Sequence, residues 1–330
     1  MDKVKLGQSE IYVTPIAFGA WAIGGWMWGG ADEKDALNAI QRSIDLGVTT
    51  IDTAPVYGFG QSEEIIGKAI KGKRDRLQIL TKYGLNWNDT RGQFHFSSMD
   101  SEGNSFDIYK YAGKDGILEE CEASLRRLGT DYIDLYQIHW PDPTTPIQET
   151  MEAVEQLIHS GKVRAAGVSN YSSSELMEAS SYLSICSNQV PFSMVNRDIE
   201  TELIPYCMEN NISILAYSPL QRGLLTGKIK PNYRFNNGDS RPDTPFFSLP
   251  NLIKTNEFLA NITPLAKEKG ITLAQMVIRW TLQQPGITVC LVGARNIRQV
   301  DENYRAIDFE LSEEEIMFIN EHLENLDLDR

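Results

Sequence analysis

The chain has 330 residues, and its 31 lysines and arginines against 45 aspartates and glutamates give a formal net charge of -14. This acidic balance excludes a general affinity for nucleic acid or for an anionic membrane surface, because phosphate groups bind to basic faces. The composition, with 42% hydrophobic and 23% charged residues, is typical of a globular protein and excludes a disordered or fibrous chain.

The four cysteines lie far apart in the sequence and form no C-x-x-C pair. Such spacing fits neither a disulfide framework nor a structural zinc site. The sequence therefore predicts free thiols in a reducing compartment, the cytoplasm. The cysteines are Cys121, Cys186, Cys207 and Cys290.

The first predicted elements are a small hairpin within residues 1–13 and a short strand over residues 16–18, which runs into a loop rich in glycine and tryptophan. The stretch 11–31 contains no charged residue and is long enough for a membrane span. However, Pro15 and five glycines interrupt it, and it lacks a cationic segment followed by a cleavage site. We therefore predict neither a signal peptide nor a transmembrane helix.

Short apolar strands then alternate with amphipathic helices. The eight predicted strands cover residues 16–18, 48–52, 78–81, 132–139, 164–168, 187–190, 213–216 and 288–292. Helical periodicity lies between them, and Ser62 before two glutamates predicts the N-cap of the second helix. Strand–helix alternation indicates βαβ units, and eight such units close into a barrel. We predict an α/β fold, a (β/α)8 TIM barrel that forms a single domain over residues 1–330.

Three further segments complete the predicted fold. Residues 83–113 and 220–250 break the alternation and are rich in small polar residues, glycine or proline, which predicts long functional loops. The segment from Leu311 places Ile316 and Ile319 on one helical face and glutamates elsewhere, which predicts a C-terminal covering helix.

Several familiar motifs are absent from the sequence. No G-x-G-x-x-G segment occurs, so there is no Rossmann phosphate turn. Residues 223–228 are one residue short of a P-loop, and Ile229 stands where a magnesium-binding hydroxyl is required. There is no H-E-x-x-H segment and the four histidines are dispersed, so we predict no metal site.

Polar side chains collect at the predicted carboxyl ends of the strands, where barrel enzymes place their catalytic groups. The second strand ends in Asp52, and Tyr57 follows it. The third strand delivers Lys82, and the fourth ends in His139. The later strand ends carry Ser169, Asn170, Gln189, Tyr217, Gly293 and Arg295.

With these residues in this order, the chain resembles the aldo-keto reductase superfamily, most closely its bacterial NADPH-dependent general-stress-protein branch. The matching residues span nearly the whole chain and are Phe18, Gly19, Ala20, Trp21, Asp52, Tyr57, Lys82, His139, Ser169, Asn170, Gln189, Tyr217, Arg295, Gln299 and Asn303. The resemblance implies a monomeric barrel that binds NADPH without a Rossmann domain and reduces aldehydes and some ketones, in a stress response.

The resemblance assigns catalysis to Asp52, Tyr57, Lys82 and His139. Carbonyl reduction needs a hydride at carbon and a proton for the developing alkoxide, and a tyrosine supplies that proton if its pKa falls from about 10. We expect Lys82 to lower the pKa of Tyr57, and Asp52 to hold Lys82 in its charged form. His139 is expected to orient the substrate carbonyl as a neutral imidazole.

The resemblance also implies a cofactor site. Ser169, Asn170 and Gln189 are expected to bind the carboxamide, while the ring of Tyr217 stacks on the nicotinamide. Arg295 is expected to bind the 2′-phosphate through its planar guanidinium. The full expected set is Ala20, Trp21, Asp52, Ser169, Asn170, Gln189, Tyr217, Ser218, Leu220, Gln221, Arg222, Lys228, Arg234, Gly293, Arg295, Gln299 and Asn303.

Charge and aromatic residues refine these expectations. Residues 217–241 contain five basic side chains and a single acidic one, which predicts a local basic clamp for an anionic dinucleotide. The expected substrate pocket consists of Trp21, Tyr57, His139 and Trp140. Its apolar rim favours aldehydes with hydrophobic bodies over sugars or charged keto acids, but aromatic rings also stack on sugars, so both classes stay open. Trp26, Trp28 and Trp87 either join this pocket or anchor loops.

Two other functions remain open from the sequence. A barrel aldolase would use Lys82 as a Schiff-base nucleophile, which borohydride trapping would reveal. Barrels that resemble this family also serve as cofactor-sensing subunits of potassium channels, and multiple turnovers by a lone monomer would exclude that role.

Overall fold

The computed structural model describes residues 2–100 and 103–329. The strands in these ranges, numbered in chain order, are β1 (Val4–Lys5), β2 (Tyr12–Val13), β3 (Ile16–Gly19), β4 (Thr50–Asp52), β5 (Gln78–Tyr83), β6 (Leu85–Asn86), β7 (Gln93–Met99), β8 (Ser105–Lys110), β9 (Ile133–Ile138), β10 (Val163–Ser169), β11 (Ile185–Pro191), β12 (Ser213–Tyr217) and β13 (Ile287–Gly293). The predicted N-terminal hairpin is confirmed as the antiparallel pair β1 and β2.

The described strands β3, β4, β5 and β9 to β13 form a closed barrel in chain order, and β13 pairs in parallel with β3 to complete it. This confirms the predicted (β/α)8 barrel. Apolar residues such as Ile51, Ile79 and Leu135 are fully buried, as parallel strands require. The register pairs Asp52 with Leu80 and Lys82 with Gln137, so the carboxyl ends of adjacent strands meet at one rim.

Helices cover the outside of the barrel. They are α1 (Glu33–Asp45), α2 (Gln61–Ile70), α3 (Lys114–Leu128), α4 (Ile147–His159), α5 (Ser173–Tyr182), α6 (Leu203–Glu209), α7 (Leu249–Glu268), α8 (Leu273–Leu282), α9 (Ile297–Asn303) and α10 (Glu313–Glu324). The predicted C-terminal helix is confirmed: Ser312 and Glu315 form a capping box at the start of α10, which packs against α7.

The predicted N-cap at Ser62 is wrong. Helix α2 begins at Gln61, after Gly60 with a φ of 102°. The hydroxyl of Ser62 lies inside the first turn, where it donates to the backbone oxygen of Ala20 (3.1 Å) and pairs with the hydroxyl of Thr53 (2.9 Å). Ser62 therefore ties α2 to the turn that follows β4 instead of capping the helix.

The two predicted long loops differ from each other in the structure. Residues 83–113 carry a three-stranded antiparallel sheet of β6, β8 and β7, so the prediction of a loop is wrong there. We call this sheet the insertion sheet. Residues 220–250 contain short 3-10 turns at Gln221–Thr226, Arg241–Asp243 and Pro245–Phe247, and α7 begins before the segment ends.

The predictions of free cysteines and of no transmembrane helix can be compared with the fold. All four cysteines are free and buried, as their spacing predicts. No helix among the described residues combines the length and the apolar character that crossing a membrane requires.

Candidate active site

The four predicted catalytic residues meet at the carboxyl end of the barrel. Asp52 ends β4, Lys82 lies near the end of β5, and His139 follows β9. The ammonium of Lys82 donates to Asp52 Oδ1 (2.8 Å) and to the backbone oxygen of Thr53 (2.8 Å), and it lies 3.4 Å from the hydroxyl of Tyr57. These contacts use all three N–H donors of the ammonium.

The backbone around Tyr57 fixes the direction of its ring. Gly58 follows with a φ of 66°, and a Cβ there would lie 2.6 Å from the backbone oxygen of Gly24. Only glycine fits this close approach of two loops. The ring of Tyr57 stacks near Trp21, at 6.1 Å between centroids, and meets His139 edge to face at 5.7 Å. The ring therefore packs beside Trp21 and His139, with its hydroxyl next to the ammonium of Lys82.

Burial dominates the electrostatics of Tyr57 and Lys82. Burial, followed by the charge of Asp52, raises the pKa of Tyr57 well above its usual range. Burial also lowers the pKa of Lys82, an effect that Asp52 opposes. The expectation that Lys82 lowers the pKa of Tyr57 is therefore wrong for this arrangement, because burial and then the charge of Asp52 raise that pKa. Tyr57 is protonated at neutral pH and can donate that proton.

His139 is a neutral imidazole, as expected from the sequence. Burial, and then the nearby charge of Lys82, lowers its pKa well below the usual range. Its backbone N–H donates to the oxygen of Tyr83 (2.8 Å), which fixes the start of the loop after β9. A neutral ring offers one N–H donor to an oxygen placed beside Tyr57.

Asp52 is bound from several strands at once. Its Oδ2 accepts hydrogen bonds from the amide nitrogens of Gln189 (2.8 Å) and Gln137 (3.4 Å), while Oδ1 accepts from Lys82. The sequence did not predict a role for Gln137 or Thr53 beside Asp52. In the sequence, Gln137 is noticeable only as a polar residue in a largely apolar strand, and Thr53 only as a polar residue at a strand end.

The geometry gives no support to a Schiff-base nucleophile. Lys82 is 0% exposed, its ammonium is fully hydrogen-bonded, and the hydroxyl of Tyr57 stands beside it. A nucleophilic amine needs a free lone pair and room for the carbonyl carbon, and neither is available at Lys82.

A cavity of about 450 Å³ opens above these residues. Most of the expected cofactor residues line it: Ala20, Trp21, Asp52, Ser169, Asn170, Gln189, Tyr217, Ser218, Leu220, Arg222, Lys228, Gly293, Arg295, Gln299 and Asn303. Gln221 and Arg234 do not. Gln221 is buried and accepts a hydrogen bond from Ser193 (3.0 Å), and Arg234 lies exposed on the outer part of its loop.

The residues expected at the nicotinamide end bind one another. Asn170 donates to the backbone oxygen of His139 (2.9 Å) and to the hydroxyl of Ser169 (3.2 Å), and it accepts from the hydroxyl of Tyr217 (3.0 Å). Asn170 holds a left-handed backbone with a φ of 61°. Such strain is found where a site fixes geometry. This network orients the ring of Tyr217 along the cavity wall.

A second strained segment follows β12. Ser218, Gln221 and Arg222 have φ values of 56°, 45° and 54°, all in the left-handed region. Arg222 donates to the hydroxyl of Ser240 (2.7 Å), and its guanidinium lies over the ring of Trp28 at 5.2 Å. The segment thereby aims a cation into the cavity.

Buried donors in this wall fit a polar, anionic ligand. Among the described residues, the ring nitrogens of Trp21 and Trp28 and the Nε of Arg222 are buried without a hydrogen-bond partner. Burial lowers the pKa of Arg222 to about 10. Unsatisfied buried donors and a desolvated guanidinium carry a free-energy cost unless an acceptor contacts them. The oxygens of a dinucleotide would satisfy them, so the residues present fit such a cofactor.

The basic clamp is smaller than the sequence suggests. Lys228 forms an ion pair with Glu302 (2.8 Å), and Arg241 is buried in an ion pair with Asp239 (2.6 Å). The positive charges of Lys228 and Arg241 are therefore both balanced by acidic side chains of the protein. Arg222 is not in any ion pair among the described residues, so its positive charge faces the cavity without an acidic partner.

The expected adenosine residues lie together at the far end of the cavity. Gln299 accepts from the backbone N–H of Arg295 (2.8 Å), and Asn303 donates to the backbone oxygen of Gly293 (3.3 Å). The guanidinium of Arg295 is half-buried, and within the described part of the chain it has only one long contact, to the backbone oxygen of Trp28 (3.5 Å). It is available to an anion.

More residues line the substrate end of the cavity than the sequence predicts. Trp21, Tyr57, His139 and Trp140 line it, as expected. Trp26 and Trp28 line it as well, whereas Trp87 packs against Phe59 away from it. The insertion sheet adds residues that sequence reasoning missed: Leu85, His95 and Phe96. In the sequence, the only indication that these residues belong to a site is the pair of a histidine and an aromatic residue at positions 95 and 96.

Comparisons with known proteins agree with this geometry. The model of the aldo/keto reductase family matches residues 15–324. The chain is 40% identical over 328 residues to aldo-keto reductase YhdN of Bacillus subtilis, covering 98% of this chain and 94% of that protein. It is 35% identical to the NADH-specific methylglyoxal reductase of Escherichia coli, covering 99% and 100%. The structure of the glycerol dehydrogenase AKR11B4 from Gluconobacter oxydans superimposes with a TM-score of 0.88 at 35% identity, covering 100% of this chain and 97% of that one.

Proposed function

Because the chain belongs to the aldo/keto reductase family and is an NAD(P)H-dependent oxidoreductase, we propose that it reduces aldehydes and some ketones to alcohols, with NADPH as cofactor and Tyr57 as proton donor. The observation that carries this proposal is the 3.4 Å contact between the ammonium of Lys82 and the hydroxyl of Tyr57. It occurs in the wall of a cavity that Tyr57 shares with His139.

The residues divide the chemistry among them. The cofactor, when bound, supplies the hydride. Tyr57 donates its proton to the carbonyl oxygen as negative charge develops there, and Lys82 stabilises the phenolate that remains. The neutral ring of His139 donates an N–H to the same oxygen and so orients the carbonyl. Asp52 keeps Lys82 charged and in place through its 2.8 Å contact.

The binding residues divide along the cavity in the same way. Tyr217 and Asn170 would hold the nicotinamide end, and Arg222, whose Nε is buried without a partner among the described residues, would bind the pyrophosphate. Arg295 would bind the adenosine end. The guanidinium of Arg295 is half-buried and makes a long contact to the backbone oxygen of Trp28 (3.5 Å), which supports this assignment.

The proposal is tested by following NADPH oxidation with a panel of aldehydes, ketones and sugars, and with NADH in parallel. Multiple turnovers with aldehydes are expected. Methylglyoxal belongs in the panel because the Escherichia coli relative carries that substrate in its name. An enzyme that binds the cofactor but turns over no carbonyl would contradict the proposal.

Cofactor choice gives a specific prediction for Arg295. Arg295→Ala is expected to raise the KM for NADPH by about tenfold or more, because a charge-assisted guanidinium contact to the 2′-phosphate is lost. The KM for NADH should change by less than about threefold, since NADH lacks that phosphate. Arg298→Ala, an exposed position on α9, is the matched control. Equal losses for both cofactors would contradict the assignment, and the NADH-specific relative makes this comparison informative.

The pH dependence of reduction follows from two shifted pKa values. The pKa of His139 is lowered, so the ring gains a proton only in acid, and the pKa of Tyr57 is raised, so its proton is lost only in strong alkali. The kcat for reduction should therefore stay flat from about pH 6 to about pH 8. The first alkaline loss is expected from Lys82, whose pKa is lowered. A rate that rises through the usual range of a histidine would show that His139 titrates and acts otherwise.

A further inference from the structure

The insertion sheet is fixed over the substrate end of the cavity. The ring nitrogen of Trp26 donates to the hydroxyl of Ser98 on β7 (2.8 Å), and the ring of Trp26 stacks on Phe96 with centroids 6.2 Å apart. Trp26 belongs to the loop after β3, so the sheet is joined to the barrel at this point. Residues that β7 presents to the cavity are thereby held on a regular element.

His95 is the polar residue that β7 brings to this wall. Its ring lies 4.8 Å from that of Phe96 and 5.5 Å from that of Trp140, measured between centroids. The ammonium of Lys110 lies over the ring of Trp140, 5.3 Å from its centroid. Burial and the charge of Lys110 lower the pKa of His95. The imidazole is therefore neutral and offers one donor and one acceptor.

The ring nitrogens of His95 are unused. Neither has a hydrogen-bond partner in residues 2–100 and 103–329, although the ring lines the cavity beside His139 and Trp140. The surrounding wall is aromatic. A substrate with a purely hydrocarbon body would cover this imidazole and leave its N–H without a partner, which is unfavourable. A substrate with a second oxygen would satisfy it.

We propose that His95 is a specificity-determining residue that binds a second oxygen of the substrate, so that the enzyme prefers short hydroxyaldehydes and dicarbonyls to simple alkanals. Tyr57 and His139 hold the reacting carbonyl, and His95 binds a hydroxyl or carbonyl on a neighbouring carbon. The inference rests on the proposed function. It differs from the expectation of aldehydes with hydrophobic bodies, and the experiment below distinguishes the two.

Isosteric aldehydes isolate the second oxygen. Lactaldehyde and isobutyraldehyde differ only by a hydroxyl in place of a methyl group on the carbon next to the carbonyl, and 3-hydroxybutanal and isovaleraldehyde differ in the same way one carbon further. The ratio of kcat/KM within each pair is measured for the native enzyme and for His95→Phe. Phenylalanine keeps a ring against Phe96 and Trp140 but has no hydrogen-bonding group. Because each ratio is compared between two enzymes, hydration of the aldehydes cancels.

The native enzyme should prefer the oxygenated member of at least one pair, and His95→Phe should lower that preference by about tenfold or more. The kcat/KM for the alkanal should change by less than about threefold. His159→Phe, at the end of α4 and outside the cavity, should leave both ratios unchanged. His95→Gln, which retains a donor and an acceptor, should restore much of the preference.

The outcomes separate the two proposals. If no aldehyde is reduced with either cofactor, the proposed function fails. If the aldehydes are reduced and both ratios are the same in the native enzyme and in His95→Phe, the role of His95 is overturned. His95→Leu repeats the test if the phenylalanine variant folds poorly, as judged from its Tm.

Discussion

Tyr57→Phe is expected to lower kcat for aldehyde reduction by about 10³-fold while the affinity for NADPH changes by less than about threefold. The hydroxyl accepts from the ammonium of Lys82 at 3.4 Å, and its raised pKa keeps it protonated at neutral pH, so that it can donate its own proton to the substrate. Phenylalanine preserves the ring, and with it the packing against Trp21 and His139. The variant therefore removes the hydroxyl proton that Tyr57 would donate and leaves the packing of the ring unchanged.

The measurement pairs single-turnover reduction with a cofactor titration that follows tryptophan fluorescence, since Trp21 and Trp28 line the cavity. Tyr206→Phe is the control, because this half-buried tyrosine on α6 lies outside the cavity. Its rate should equal that of the native enzyme. Full turnover by Tyr57→Phe would assign the proton to another donor, and His139 would then be the first residue to replace.

The barrel, and the meeting of Asp52, Tyr57, Lys82 and His139 at one rim, could be predicted because the sequence encodes the strands locally. Each strand is a short apolar run, and a closed parallel barrel brings all its carboxyl strand ends to one rim. Asp52, Lys82 and His139 each lie at the end of a predicted strand. The order of the strands is therefore enough to predict that these side chains lie close together. Their protonation depends on burial, which the sequence shows only indirectly, and the expected effect of Lys82 on Tyr57 was wrong for that reason.

The ligand-binding loops could not be predicted to the same degree. The count of basic residues between 217 and 241 did not reveal that Arg241 is balanced by Asp239, or that Lys228 is balanced by Glu302, 74 residues away. Ion pairs of this kind depend on the path of the loops. The insertion sheet was missed because its strands leave residues such as Phe94 and Met99 exposed, and no clear alternation of apolar and polar residues marks β7.

The buried pair of Lys82 and Asp52 allows stability and activity to be separated. Lys82 is 0% exposed and Asp52 is 3% exposed. Lys82→Met should leave the carboxylate of Asp52 buried with only the amides of Gln137 and Gln189 as donors. Loss of one partner from a buried ion pair typically costs about 3–5 kcal/mol in the free energy of unfolding. The same variant should lower kcat by about 10²-fold or more, because nothing then stabilises the phenolate of Tyr57.

Adding Asp52→Asn to Lys82→Met removes the unpaired charge, so the double variant should regain about 2 kcal/mol of the lost stability. It should not regain activity, because the ammonium beside Tyr57 is still missing. Urea unfolding followed by circular dichroism measures the first effect, and NADPH oxidation measures the second. A double variant that is both stable and active would show that Lys82 serves the fold alone. A double variant less stable than Lys82→Met would mean that the carboxylate of Asp52 is held chiefly by the two glutamine amides, and that the ion pair contributes little to the stability of the barrel rim.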